Sequence, residues 1–279
     1  MLKNTEGTVK IIPRLLHMEQ FIKELKKNPE QDREKLAMKT FNFPEEELKS
    51  LLFFGMFNIN RKIDPLEHQL KQMHKLQLES FIKNELESLQ KNFPTNYQIT
   101  FELFVLDEDD DFVKDKLSGV SAFTDWDGKM CFVVYPDEKV RLALKSVITH
   151  EFNHHWRISK LAMKEGNETL LDRMILEGLA EHFVKHVLGE SFQGPYKDAL
   201  TEQEAKTLWN QTYHIHAFEK GGITDPFLFG DSEQGLPFWG GYSIGYYLVK
   251  WYLEKNRSIS FEELMLLPSE EFIEYCSRA

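Results

Sequence analysis

Residues 149–156 read Thr-His-Glu-Phe-Asn-His-His-Trp, and within them His150, Glu151 and His154 stand in a His-Glu-x-x-His spacing. Side chains four apart on a helix lie one above the other on the same face, so both imidazoles can reach one zinc ion. Glu151 falls about a quarter-turn round the same helix, beside such an ion and not on it. From there it can serve as general base toward a water that the metal activates. The feature asks for a helix at this point and for a further ligand from elsewhere in the chain, because a hydrolytic zinc takes three protein ligands and keeps one position open.

The search downstream leads to residues 171–183, Leu-Asp-Arg-Met-Ile-Leu-Glu-Gly-Leu-Ala-Glu-His-Phe. Ile175, Leu176, Leu179, Ala180, Phe183, Val184 and Val187 form a broad apolar stripe, which predicts a helix packed against the core. Glu177 and Glu181 are four apart and share one side of it. Two bare acids on the inward edge of an apolar helix are costly to bury unless a cation or a histidine N–H compensates them. A zinc site supplies both: one acid binds the metal, and the other accepts from a ligand histidine. Either acid can fill the ligand position on chemistry alone. His182 and His186 form another four-residue pair, but no glutamate follows the first, and they read as solvated or capping histidines.

His-Glu-x-x-His followed by Glu-x-x-x-acid on a second helix resembles the gluzincin metallopeptidases, the thermolysin-like and aminopeptidase-like enzymes. Glu177-Gly178-Leu179-Ala180 is similar to the Glu-Gly-x-Ala that carries the third ligand in the aminopeptidase branch. Glu181 matches the aspartate of the thermolysin branch, one methylene longer. The gap from His154 to Glu177 is also a few residues longer than the strict aminopeptidase spacing. More narrowly, Leu171 to Phe183 and the run Gly240-Gly241-Tyr242-Ser243-Ile244-Gly245-Tyr246 resemble a bacterial family of predicted zinc-dependent proteases, domain of unknown function 2268. The resemblance covers residues 97–254. It implies one Zn2+ per chain held by His150, His154 and Glu177, with Glu181 orienting a ligand histidine.

Upstream of the zinc helix the period changes. Residues 97–106 (YQITFELFVL) carry a strand signal, and Asp127-Gly128 between two apolar runs reads as a β-hairpin. The acidic run 107–111 reads as a solvated turn. A hairpin ahead of the zinc helix resembles the zincin N-terminal lobe, whose edge strand pairs with an extended substrate through main-chain hydrogen bonds. By that analogy Ser121, Ala122 and Phe123 would bind substrate.

Residues 227–241 are rich in glycine and aromatics, which predicts a structured loop leading into an aromatic helix from Tyr242. In aminopeptidase-like gluzincins a tyrosine on this side of the site donates to the oxyanion, and Tyr242 is the candidate here. His214 and His216 are rival donors, since the thermolysin branch uses histidine.

The expected fold is α+β: a zincin-like lobe, a small mixed sheet with an edge strand plus the zinc helix, joined to a helical N-terminal region and a mainly helical C-terminal lobe. Residues 1–92 read as helical, with one long helix opened by Asp64-Pro65, and Asn92-Phe93-Pro94 marks the boundary to the metallopeptidase domain 93–279. That domain divides into strands within 97–135, the zinc helix at 140–160, the third-ligand helix at 170–188 and a helical part at 200–279. A net charge of −11 argues against a nucleic-acid partner. No apolar run reaches membrane-spanning length, no signal peptide is visible, and two cysteines make no disulfide framework, so a cytoplasmic address is expected. The expected partner is a peptide or protein substrate, cleaved with Glu151 as base and Tyr242 as oxyanion donor. Two other classes share these features: a zinc-bearing protein that binds peptides without turnover, and a helical interaction module with a structural zinc lobe.

Overall fold

The structure, a computed structural model, describes residues 9–53, 55–95 and 97–274. The chain forms two compact units, one drawn from residues 1–92, 98–125 and 129–148, the other from 93–97, 126–128 and 149–279.

The first unit begins with strand β1 (Lys10–Ile12) and helices α1 (Arg14–Lys27), α2 (Arg33–Phe41), α3 (Glu45–Phe53), α4 (Ile63–Lys75) and α5 (Leu78–Asn92). Strand β2 (Thr100–Val105), helix α6 (Asp111–Lys116), and strands β3 (Val120–Thr124) and β4 (Lys129–Val134) follow. The strands form a mixed sheet in the order β1-β2-β4-β3. β1 and β2 pair in parallel, as do β2 and β4, while β3 runs antiparallel to β4 with Ala122 opposite Phe132. The hairpin read from Asp127-Gly128 is therefore present, closed by Lys129 N–H on the Asp125 carboxylate at 2.8 Å. Gly128, at φ +82°, adopts a turn conformation that side chains disfavour.

Two features of residues 1–92 depart from the all-helical reading. Lys10–Ile12 is a strand. Three residues are too few to display a period of two, and their partner lies far along the chain. The single helix expected from Asp64-Pro65 is two, α4 and α5, broken where Gln77 turns to φ +51°. Neither glycine nor proline marks that break; Leu76 and Gln77 close α4 through their N–H groups on Gln72 and His74.

Leu15, Met18, Phe21, Ile22 and Leu25 fall at helical spacing on α1, and all five are buried. Asn28, at φ −141°, ends α1 ahead of Pro29. Phe21, Phe41, Phe57 and Phe104 meet ring to ring in the core of this unit. Buried Glu102 on β2 is matched by Arg14, whose Nε donates to it at 2.8 Å. Lys129 Nζ lies 3.4 Å from the other Glu102 oxygen and Glu47 lies 3.6 Å from Arg14, so the buried pair belongs to a small charge network. The acidic run is a turn, with Asp110 capping α6 through Val113 N–H.

Helix α7 (Val140–Leu161) carries the His-Glu-x-x-His spacing, and the second unit continues with α8 (Leu170–Leu188), α9 (Glu202–Leu208), α10 (His214–His216), α11 (Asp225–Phe229), α12 (Gly240–Lys255) and α13 (Phe261–Leu266). A capping box formed by Thr169 and Asp172 starts α8. Its faces are buried more widely than one stripe allows, from Leu170 to Val184, because α12 packs against it at backbone contact. A Cβ on Gly178 would lie 2.2 Å from the Gly245 carbonyl oxygen, and one on Gly245 would lie 1.9 Å from that of Met174. Glycine in the Glu-Gly pair of α8 thus has a packing reason: it lets the two helix backbones touch.

The same crossing corrects the reading of His182. Its ring stacks on Tyr246 at 4.5 Å and its Nε2–H donates to the Tyr246 carbonyl at 3.1 Å. His186 stays exposed against Phe261. Burial is the chief cause that lowers the His182 pKa to about 4. An unfolded histidine near 6.5 therefore binds a proton that the native fold refuses. This contribution to stability is intact above about pH 6.5 and declines as pH falls toward 4. In thermal melts between pH 7.5 and 5, His182→Phe, which keeps the ring stack, should lose less Tm on acidification than wild type.

No described helix is long and apolar enough to cross a membrane. Cys131 is buried with its Sγ 3.6 Å from Met56 Sδ, and Cys276 lies outside the described residues.

Candidate metal centre

The one-turn spacing on α7 brings the rings of His150 and His154 to 4.6 Å, nearly perpendicular at 88°. Glu151 joins them, with ligand-type atoms of all three residues within 4.8 Å of one another. Opposite stands α8. Glu177 Oε2 lies 3.1 Å from His150 Nε2 and 3.5 Å from His154 Nε2, while Glu181 Oε1 lies 2.9 Å from His150 Nδ1. The two acids that the sequence left interchangeable are thus differentiated. Glu177 faces the Nε2 atoms of both histidines, and Glu181 reaches the far nitrogen of one.

Two donor atoms each about 2.1 Å from a tetrahedral zinc lie about 3.4 Å apart. The 3.1 and 3.5 Å separations of Glu177 from the two Nε2 atoms match that spacing. Imidazole nitrogen and carboxylate oxygen are also the donor types that suit zinc. His154 Nδ1, by contrast, is buried without a hydrogen-bond partner among the described residues, so only His150 is held from behind.

Charge points the same way. Glu151 and Glu181 are buried, and the Glu177 side chain is 14% exposed. Burial works against a charged His150, yet its hydrogen bonds to Glu177 and Glu181 push its pKa well above the ordinary histidine value. Burial would raise Glu177, but the positive field of His154 and the hydrogen bond from His150 hold it down to about 2. Three acids around two imidazoles leave a surplus of negative charge, and the protein answers it by holding a proton on His150. A divalent cation compensates the same charge.

Tyr242, on the first turn of α12, stacks on Tyr196 with ring centroids 5.1 Å apart and contacts Phe229 at 6.0 Å. Burial, then the charges of Glu177 and Glu151, push its phenol pKa well up, so it keeps its proton and can donate. The second unit thereby gathers His150, Glu151, His154, Glu177, Glu181 and Tyr242. Ser121, Ala122 and Phe123 belong to the first unit, where β3 is the terminal strand of the sheet. His214 Nδ1 engages the Trp209 carbonyl at 3.0 Å, and His216 Nδ1 engages Glu219 at 2.9 Å. His155 and Trp156 are packing residues, with His155 Nδ1 on the Gly128 carbonyl and Trp156 Nε1 donating to that of Pro94.

Sequence reasoning passed over Tyr196. Its ring centroid lies 6.1 Å from that of His150, and its phenol pKa is raised by burial and by the charges of Glu181, Glu177 and Glu151. The available signal was Gly194-Pro195-Tyr196, a turn with an aromatic shortly after α8.

Residues 78–274 match the family described as "Predicted Zn-dependent protease (DUF2268)". The chain is 30% identical over 134 residues to the uncharacterized protein YjaZ of Bacillus subtilis (strain 168), covering 47% of this chain and 50% of that one. It is 25% identical over 144 residues to the uncharacterized protein YjfC of the same strain, covering 48% and 47%. The chain spans about half the length of these curated relatives. No solved structure matches it. The family match takes in both helices that bear the histidines and glutamates, as well as Tyr196 and Tyr242, and the chain belongs to the DUF2268 family of predicted zinc-dependent proteases.

Proposed function

We propose that this protein is a zinc-dependent peptidase of gluzincin type. The observation that carries the reading is the buried arrangement of Glu177 against both histidine Nε2 atoms, with the His150 Nδ1 taken by Glu181. His150, His154 and Glu177 would hold one zinc ion. Zinc held there would bring the pKa of its water toward about 7 and polarise a scissile carbonyl. Glu151 accepts the proton released from water and returns it to the departing amine. Tyr242, kept protonated, donates to the carbonyl oxygen as it gains negative charge. Glu181 accepts from His150 Nδ1–H and would fix the tautomer that presents Nε2 to a metal. Ser121, Ala122 and Phe123 on edge strand β3 offer main-chain groups to an extended peptide.

Elemental analysis tests the ligand set. Wild type should carry about one zinc per chain. Glu177→Ala should lose most of it, and Glu181→Ala should keep its zinc at saturation but bind it about 10- to 100-fold more weakly. Wild type that takes up no zinc on reconstitution would overturn the peptidase reading.

A further inference from the structure

We propose that Tyr196 is a second hydroxyl donor at this centre, clamped in place by Glu181 and Gly194 and directed at the same oxygen that Tyr242 serves. The proposal rests on the peptidase reading and adds a catalytic residue that the sequence motifs do not contain.

The clamp begins where α8 ends. Gly189, at φ +99°, turns the chain, and residues 190–192 and 195–198 form two short 3-10 turns. Between them Gly194 N–H donates to Glu181 Oε2 at 2.7 Å, and Gln193 Nε2 donates to the Glu181 carbonyl at 3.0 Å. The other carboxylate oxygen of Glu181 holds His150 Nδ1. One buried side chain therefore fastens a ligand histidine with one oxygen and the Tyr196 loop with the other. Gly194 leaves no slack in this contact. A Cβ there would lie 2.6 Å from two ring carbons of Tyr196 and 3.0 Å from Glu181 Oε1.

The Tyr196 ring is confined on its other sides as well. Tyr242 stacks on it at 28°, and Trp239 meets it edge-on at 4.8 Å. Trp239 caps α12 at φ +56°, an unfavourable backbone for a bulky residue, and its N–H is tied to the Phe229 carbonyl at 3.1 Å. Such conformations persist where the surroundings over-determine them, and they cluster at functional sites. A purely space-filling tyrosine asks for none of this. Fixed donors aimed at developing charge need no reorganisation during reaction, which is how an oxyanion hole lowers a barrier.

The test uses the zinc-loaded full chain and two probes: a phosphinic pseudopeptide, whose tetrahedral oxygens imitate the oxyanion, and acetohydroxamate, which binds through the metal without that geometry. Affinities are measured by calorimetry for wild type, Tyr196→Phe and Gly194→Ala, alongside zinc content and kcat. In Tyr196→Phe the phosphinic probe should weaken about 10- to 100-fold, as loss of one hydrogen bond to a charged oxygen predicts, with zinc and acetohydroxamate binding unchanged. The same variant should lower kcat with little change in KM. Gly194→Ala should weaken the phosphinic probe in the same direction with the phenol still present. Equal phosphinic affinity in wild type and Tyr196→Phe would overturn the proposal and leave the peptidase reading standing. A wild type that holds zinc and acetohydroxamate but neither binds the phosphinic probe nor cleaves peptides would remove both.

Discussion

Glu151→Gln should retain about one zinc per chain and lose about 10³-fold in peptide turnover. Glutamine keeps the shape and hydrogen-bonding reach of glutamate but cannot take up a proton. Glu151 is buried one residue from His150, and its carboxylate lies within 4.8 Å of the ligand-type atoms of both histidines, close enough to serve a water at the metal. The proposed ligand set of His150, His154 and Glu177 does not include it, so the variant separates binding from chemistry. The measurement is kcat on a cleaved peptide together with zinc stoichiometry and Tm on one preparation. Full activity in Glu151→Gln would place the general base elsewhere. Loss of zinc with loss of activity would instead make Glu151 part of the ligand set, exchanging roles with Glu177.

The largest effect on stability should come from a residue with no chemistry. Gly245→Ala inserts a Cβ at 1.9 Å from the Met174 carbonyl oxygen, and the obstacle is backbone on both sides. No rotamer change relieves it, so α8 and α12 have to separate. Overpacking of this kind costs about 3 kcal/mol, or about 6 to 10 °C in Tm. Gly222→Ala is the control, because its Cβ would meet nothing nearer than the Asp225 carboxylate at 3.8 Å, and it should stay within about 0.5 kcal/mol of wild type. The two helices carry Glu177, Glu181 and Tyr242. Gly245→Ala should therefore also weaken zinc binding in whatever fraction stays folded at lower temperature. A wild-type Tm in Gly245→Ala would mean that the helices do not cross at backbone contact.

What could be read from the sequence was local or periodic. His150 and His154 are related by one helical turn, and a helix fixes their mutual geometry wherever it is placed. The apolar periods of α1, α8 and α12 and the Asp-Gly hairpin are likewise properties of short segments. The mixture of helices and strands followed from these, and the small mixed sheet with an edge strand from the resemblance to the zincin lobe. Resemblance to known motifs supplied Glu177 ahead of Glu181, a choice that composition left open.

Other features depended on residues far apart in the chain. β1 exists because Lys10–Ile12 finds a parallel partner in Thr100–Glu102. Gln77 breaks a helix that its own sequence permits. His182 looked like a solvent-facing histidine on an amphipathic helix. It is buried because α12 comes down on a second face of α8, which no pattern within α8 records. Tyr196 stands beside the centre on a loop that Glu181 ties to His150 and that Ser243 of α12 fastens at Lys197. The sequence by itself determined which side chains could share one metal, since covalent spacing and helix geometry set that. The tertiary structure decided which acid faces both histidines and which tyrosines stand beside them, because those positions depend on two glycines that let separate helices touch and on a loop tied to α8 and α12 by residues far along the chain.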